Sequence, residues 1–124
     1  MSKPAVILFA HGARDPAWAE PFRTIKRIIE QKQPGADVEL AFLELMEPSL
    51  PDAVAKLARA GHRSITIAPL FMAQGGHLKN DLPKILDALR ADYPGTSLTL
   101  LPAIGDVDAI LGAIAEWLVG VTGG

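Results

Sequence analysis

The chain contains no cysteine. Disulfides, thiolate nucleophiles and cysteine-ligated metals are excluded together. It has no basic excess either: the net charge is −2 and the pI about 5.9. Duplex-binding surfaces show such an excess, so no nucleic-acid partner is expected. No apolar run approaches the ~20 residues of a bilayer span, so no membrane partner is expected. The opening "MSKPAVILFAHG" carries one lysine and a short apolar run, and no small-residue cleavage site follows. It reads as a buried strand rather than a signal peptide, which points to a cytoplasmic protein. No G-x-G-x-x-G follows a strand, and there is no Walker loop and no G-x-S-x-G elbow. No aspartate ends the third apolar run, against a phosphoacceptor receiver domain. His-Gly after the first run lacks the preceding arginine of phosphohistidine phosphatases, because that position is Ala10.

What is present fits one domain over residues 1–124, of which 49% are hydrophobic. Ala5–Ala10 is a continuous branched apolar run, the pattern of a strand covered on both faces. Asp15-Pro16 opens a helix with Trp18, Phe22, Ile25, Ile28 and Ile29 at helical spacing. Val38–Leu43 reads as a second strand. Pro48 starts a second helix, which Gly61 closes. Ser64–Phe71 is a third strand. Leu78, Leu82, Ile85, Leu86 and Leu89 mark a third helix ending near Tyr93-Pro94-Gly95. Ser97–Leu101 is a fourth strand. Val107–Val119 forms a last helix with Ile110, Leu111, Ile114, Trp117 and Leu118 expected to face inward, and residues 119–124 are expected to be a flexible tail. This alternation predicts an α/β fold: a four-stranded parallel sheet of order 2-1-3-4, helices on both faces, one lobe per chain.

The three histidines divide by position. In such a fold ligands bind at the carboxyl ends of the strands. His11 follows strand one and His77 follows strand three, which are neighbours at the switch point. His62, between a helix end and a strand start, falls on the opposite edge and is read as a surface residue without a role. Glycines flank the two site histidines. Gly12, Gly75 and Gly76 permit positive φ and close approach of a ligand, although a tight turn alone also explains the glycine pair. Strand two brings Glu44 to the same edge, where a carboxylate can orient an imidazole, take a proton or help hold a metal. A carboxylate there also suits a helix N-terminus. Glu47 is read as solvated, Asp15 and Asp81 as caps. Arg14 and Lys79 flank the histidines and can receive anionic groups. Two imidazoles and a carboxylate suit Co²⁺, Fe²⁺, Ni²⁺ or Zn²⁺. So few ligands leave coordination positions open, which fits hand-off or Lewis-acid work better than a structural role.

Four stretches, "ILFAHGARDP" (7–16), "AFLELMEPSLPDAV" (41–54), "GHRSITIAPLFMAQGGHLKNDLP" (61–83) and "PAIGDVDAI" (102–110), together resemble the CbiX/SirB sirohydrochlorin chelatases in the family's order. The length resembles the short form, in which one chain is half of a two-lobed cleft and a homodimer completes it. The resemblance implies insertion of a divalent metal into the tetrapyrrole sirohydrochlorin, cobalt toward cobalamin or iron toward siroheme. Cobalt is the first expectation, with iron and nickel as others. No organic cofactor is needed. The metal-binding histidines of the family match His11 and His77, and its acidic active-site residue matches Glu44. Chelation sheds the metal's water and removes both pyrrole N–H protons. Open histidine ligation supports the first step and imidazole the second. Arg14, Lys79 and helix N-termini then anchor the tetrapyrrole's carboxylates, with Gly12, Gly75 and Gly76 beside them. Ala13 stands where many members carry serine. A non-catalytic metal carrier or tetrapyrrole-binding paralogue is the alternative, and an interaction module with incidental histidines a third.

Overall fold

A computed structural model describes residues 3–123. Four parallel strands, β1 (Ala5–Ala10), β2 (Asp37–Phe42), β3 (Ser64–Pro69) and β4 (Ser97–Leu100), pair in the order β2-β1-β3-β4. This is the expected order. The helices are α1 (Glu20–Lys32), α2 (Leu50–Arg59), α3 (Gly76–Asp92) and α4 (Asp108–Thr122). Short 3-10 helices precede α1 (Pro16–Ala19) and α4 (Ile104–Asp106).

Side-chain alternation along the strands builds the core. Ile7, Phe9, Ile65, Ile67 and Leu98 are buried on one face of the sheet with Leu50, Val54 and Leu57 of α2 and Leu82, Leu86 and Leu89 of α3. Each such side chain contributes about 1.5–3 kcal/mol of hydrophobic stabilisation. The other face carries a smaller cluster: Ala10, Ala19 and Phe42, with Phe22, Leu40 and Met46 against it. α1 lies on this face, over β2 and β1.

Local chemistry sets the boundaries. Asp15 Oδ1 accepts from the Ala17 N–H at 2.9 Å, so the expected cap serves the 3-10 helix ahead of α1. Ser49 caps α2, its hydroxyl accepting from the Asp52 N–H at 3.3 Å. Gly61 closes α2 with φ of +96°. Strands β2, β3 and β4 each stop one or two residues before the expected ends, where the chain turns out along the sheet edge.

Two expectations fail at the C-terminus. Residues 119–122 are not a tail but the last turn of α4; Gly124 lies outside the described residues. Nor does α4 face inward. No residue of it is buried, and Trp117 is 66% exposed. The apolar spacing of Ile110, Leu111, Ile114, Trp117 and Leu118 correctly marks a helix. Among the described residues nothing buries this helix, because α4 leaves the sheet edge without turning back onto it. No helix among the described residues is long and apolar enough to cross a membrane.

Candidate active site

The pairing of β1 with β2 positions the first two site residues. Ala10 is in register with Phe42, and the ladder continues past both strands. The Leu43 N–H donates to Ala10 O at 2.9 Å and the Glu44 N–H to His11 O at 3.1 Å. The two side chains thus leave the sheet edge together. His11 Nε2 and Glu44 Oε1 lie 3.1 Å apart, both side chains half exposed.

The backbone around them is locked. Gly12 has φ of +100°, and a Cβ there would sit 1.9 Å from Glu44 O. This glycine is required twice, for its left-handed conformation and for contact with the Glu44 peptide. That carbonyl also accepts from the Met46 N–H at 2.8 Å across Leu45, whose φ is +64°. A bulky residue in this γ-turn is strained, and such strain gathers where a side chain must be held in place.

β3 supplies the neighbouring wall. Phe71 packs edge-on against Phe9, with ring centroids 5.6 Å apart, and against the His11 imidazole at 6.3 Å. α3 then begins at Gly76, and His77 is its second residue. His77 is exposed on the same cleft as His11. The cleft holds about 350 Å³ and is otherwise mainly apolar, with Leu43, Phe71, Leu78 and Ile85 in its walls.

Asp81 also lines this cleft. Sequence reasoning assigned it to capping, yet it lies inside α3, one turn after His77. The i, i+4 spacing of His77 and Asp81 on one helix is the signal that could have found it. The expected roles of two other glycines also change. Gly75 has φ of −66°, and Gly76 is not among the residues with positive φ. A side chain at either would meet nothing, so neither conformation nor crowding demands glycine there. What the pair provides is open space, with Gly75 in the cleft wall. Arg14 and Lys79 are exposed beside the histidines but outside the cleft lining. His62 lies at the opposite edge as expected, but it is not a free surface residue: its side chain is 12% exposed and paired with Asp37 at 3.0 Å.

The candidate groups therefore form two pairs facing one cleft: His11 with Glu44, and His77 with Asp81 one turn along α3. Among the described residues no three acidic or histidine groups converge closely enough to form a ready-made metal cage.

A family model for CbiX matches residues 5–119. The chain belongs to the CbiX family. Among CbiX relatives, the sirohydrochlorin cobaltochelatase of Methanopyrus kandleri is 39% identical over 82 residues, which make up 66% of this chain. The chain spans 57% of that relative's length. A crystal structure of a protein named for cobalamin (vitamin B12) biosynthesis, CbiX of Marinobacter aquaeolei VT8, superposes with a TM-score of 0.77 at 32% identity. The match covers 92% of both chains. The sirohydrochlorin chelatase SirB of Bacillus subtilis subspecies spizizenii, solved in complex with cobalt, shares the fold at 21% identity and a TM-score of 0.77. The match takes in 97% of this chain and 51% of SirB, so SirB is about twice as long.

Proposed function

We propose that this CbiX-family chain inserts a divalent metal, cobalt foremost and iron next, into a sirohydrochlorin-type tetrapyrrole. The one observation that carries this reading is the placement of His11 and His77 on a single open, mainly apolar cleft, with Glu44 at 3.1 Å from the first imidazole. The names of its relatives support the same chemistry.

The residues divide the work. Glu44 fixes the His11 ring and its tautomer: when Nε2 donates its proton to the carboxylate, Nδ1 keeps the lone pair a metal needs. His77 is the second ligand. Two imidazoles without a closed cage hold the ion weakly and leave positions for the pyrrole nitrogens, so the metal as substrate can be handed over. The leaving pyrrole protons need acceptors: the Glu44 carboxylate can take one, and the imidazoles of His11 and His77 become free to take a proton once the metal has passed to the ring. Leu43, Phe71, Leu78 and Ile85 give the flat macrocycle an apolar seat. Arg14, Lys79 and the N-terminus of α3, which has no side-chain cap, receive its peripheral carboxylates. Gly12 holds Glu44, and the small residues Gly75 and Gly76 leave room for the ring. We place the reaction in the cytoplasm, within cobalamin or siroheme synthesis. Two copies combine as a homodimer to complete the cleft, in keeping with a SirB chain twice as long.

Anaerobic absorbance spectroscopy of sirohydrochlorin with Co²⁺, then Fe²⁺, tests the proposal. Protein-dependent acceleration of the spectral change supports a chelatase. Bound metal or pigment with insertion no faster than the spontaneous rate would leave a carrier and sink the enzyme.

A further inference from the structure

Metal insertion releases two pyrrole protons. Glu44 can take one of them. His11 and His77 carry the metal, so their lone pairs are engaged until they let it go. A base that does not ligate can accept the other proton while the metal is still passing to the ring. The cleft offers such a group. Among the described residues that line it, Asp81 is the single carboxylate.

No structural task accounts for Asp81. It is not a cap: the N-cap of α3 is Gly75, no side chain caps the helix, and its first turn holds no acid. Other helix acids pair with a cation three or four residues away: Glu20 with Arg23 at 2.6 Å, Glu30 with Lys26 at 3.9 Å and Asp87 with Arg90 at 3.4 Å. Lys84 stands at the same spacing from Asp81. Yet among the described residues no ion pair and no side-chain hydrogen bond engages this carboxylate. The helix instead turns His77, Asp81 and Ile85 onto one stripe, each a turn beyond the last, and all three line the cleft. Asp81 follows His77 by about 6 Å along the axis. A macrocycle seated against Phe71 and Leu78 therefore meets both. Buried Leu82 and Leu86 hold this part of α3 against the sheet, so the carboxylate rides on a rigid element. Glu44 leaves the end of β2 beside His11, whereas Asp81 belongs to α3 with His77. Each ligand histidine thus has its own carboxylate, brought to the cleft by a different element.

We infer that Asp81 is the base that takes the second pyrrole proton as the metal enters the ring. This rests on the chelatase reading and adds a catalytic residue to it. The step balances within the cleft. The pyrrole N–H bond breaks and an O–H bond forms on the carboxylate. The electron pair left on nitrogen becomes the bond to the metal. Nothing is oxidised or reduced, and the metal stays divalent. Asp81 is exposed, so the carboxylic acid returns its proton to water before the next turnover.

The test separates a base from a ligand or a spacer. Full-length wild type, Asp81→Asn and Asp81→Ala, each folded by circular dichroism, are compared in two measurements. One is the rate of Co²⁺ insertion into sirohydrochlorin; the other is the affinity for Co²⁺ alone by equilibrium dialysis. Loss of a general base predicts that Asp81→Asn slows insertion about 100-fold, with Co²⁺ affinity unchanged. Added formate should restore insertion by Asp81→Ala in a concentration-dependent way, because a small carboxylate can enter the space the side chain vacates. It should not speed the wild type or His77→Ala. Three results would overturn the inference. Asp81→Asn inserting at the wild-type rate would make the carboxylate a solvated bystander. A fall in Co²⁺ affinity as large as the fall in rate would make it a metal ligand or a support for His77. A slow Asp81→Ala that formate leaves slow would mean that no proton acceptor was lost. The wild-type arm keeps the two readings apart: no acceleration there sinks the chelatase and this inference together, whereas an active wild type matched by Asp81→Asn sinks this inference alone.

Discussion

Glu44 owes its place to its neighbours' backbone more than to its own side chain. Its N–H is tied to His11 O, and its carbonyl is pressed between Gly12 and the Met46 N–H. Gly12→Ala should therefore do two kinds of harm. The forced left-handed backbone costs roughly 1–3 kcal/mol, and the methyl displaces Glu44 from His11. A lower denaturant midpoint together with slower metal insertion is expected; an unchanged midpoint would contradict the packing. Glu44→Gln keeps the shape and removes the charge that orients the imidazole. Insertion should fall about 10–100-fold with stability unchanged, the usual effect of losing a ligand's partner. His11, Glu44 and His77 were legible in the sequence because strand ends converge on one edge in this fold class. Asp81 was not, because an acid in the first turns of a helix looks like a cap until the helix is placed. The role of Gly12 was only half legible: a positive φ can be guessed, whereas contact with the Glu44 carbonyl depends on the register between β1 and β2.

Among the elements, α2 and α3 carry most of the stability because they seal the larger core. Leu86 is 1% exposed between α3 and the sheet. Leu86→Ala should cost about 2–5 kcal/mol, read from chemical denaturation. Ser49→Ala removes the cap of α2 and should cost about 1 kcal/mol by the same measurement. The strands were readable because each is short, apolar and bounded by turn residues, and errors at their ends are a residue or two. The helical spacing of Phe22, Ile25, Ile28 and Ile29 correctly marks α1, yet α1 has no fully buried residue. Apolar periodicity reports that a helix has an apolar side, not that this chain covers it.

That distinction decides the picture of the whole molecule. β2-β1-β3-β4 order and the parallel sheet follow from alternation and handedness, both visible in sequence. That α4 stays unburied is not, because apolar spacing is the same in a helix whether or not its own chain covers it. The reading of function is likewise assembled from parts: one histidine at the end of β1, one at the start of α3, one carboxylate held by register, and one mainly apolar cleft.

The central claim is that His11 and His77 act on one metal. The most direct measurement is the rate of Co²⁺ insertion into sirohydrochlorin by wild type, His11→Ala, His77→Ala and the double variant, all folded by circular dichroism. The account predicts that each single change abolishes most of the acceleration and that the double variant is little worse than the poorer single, because the two residues serve one ion. Single variants at the wild-type rate, or losses that simply multiply in the double variant, would contradict it.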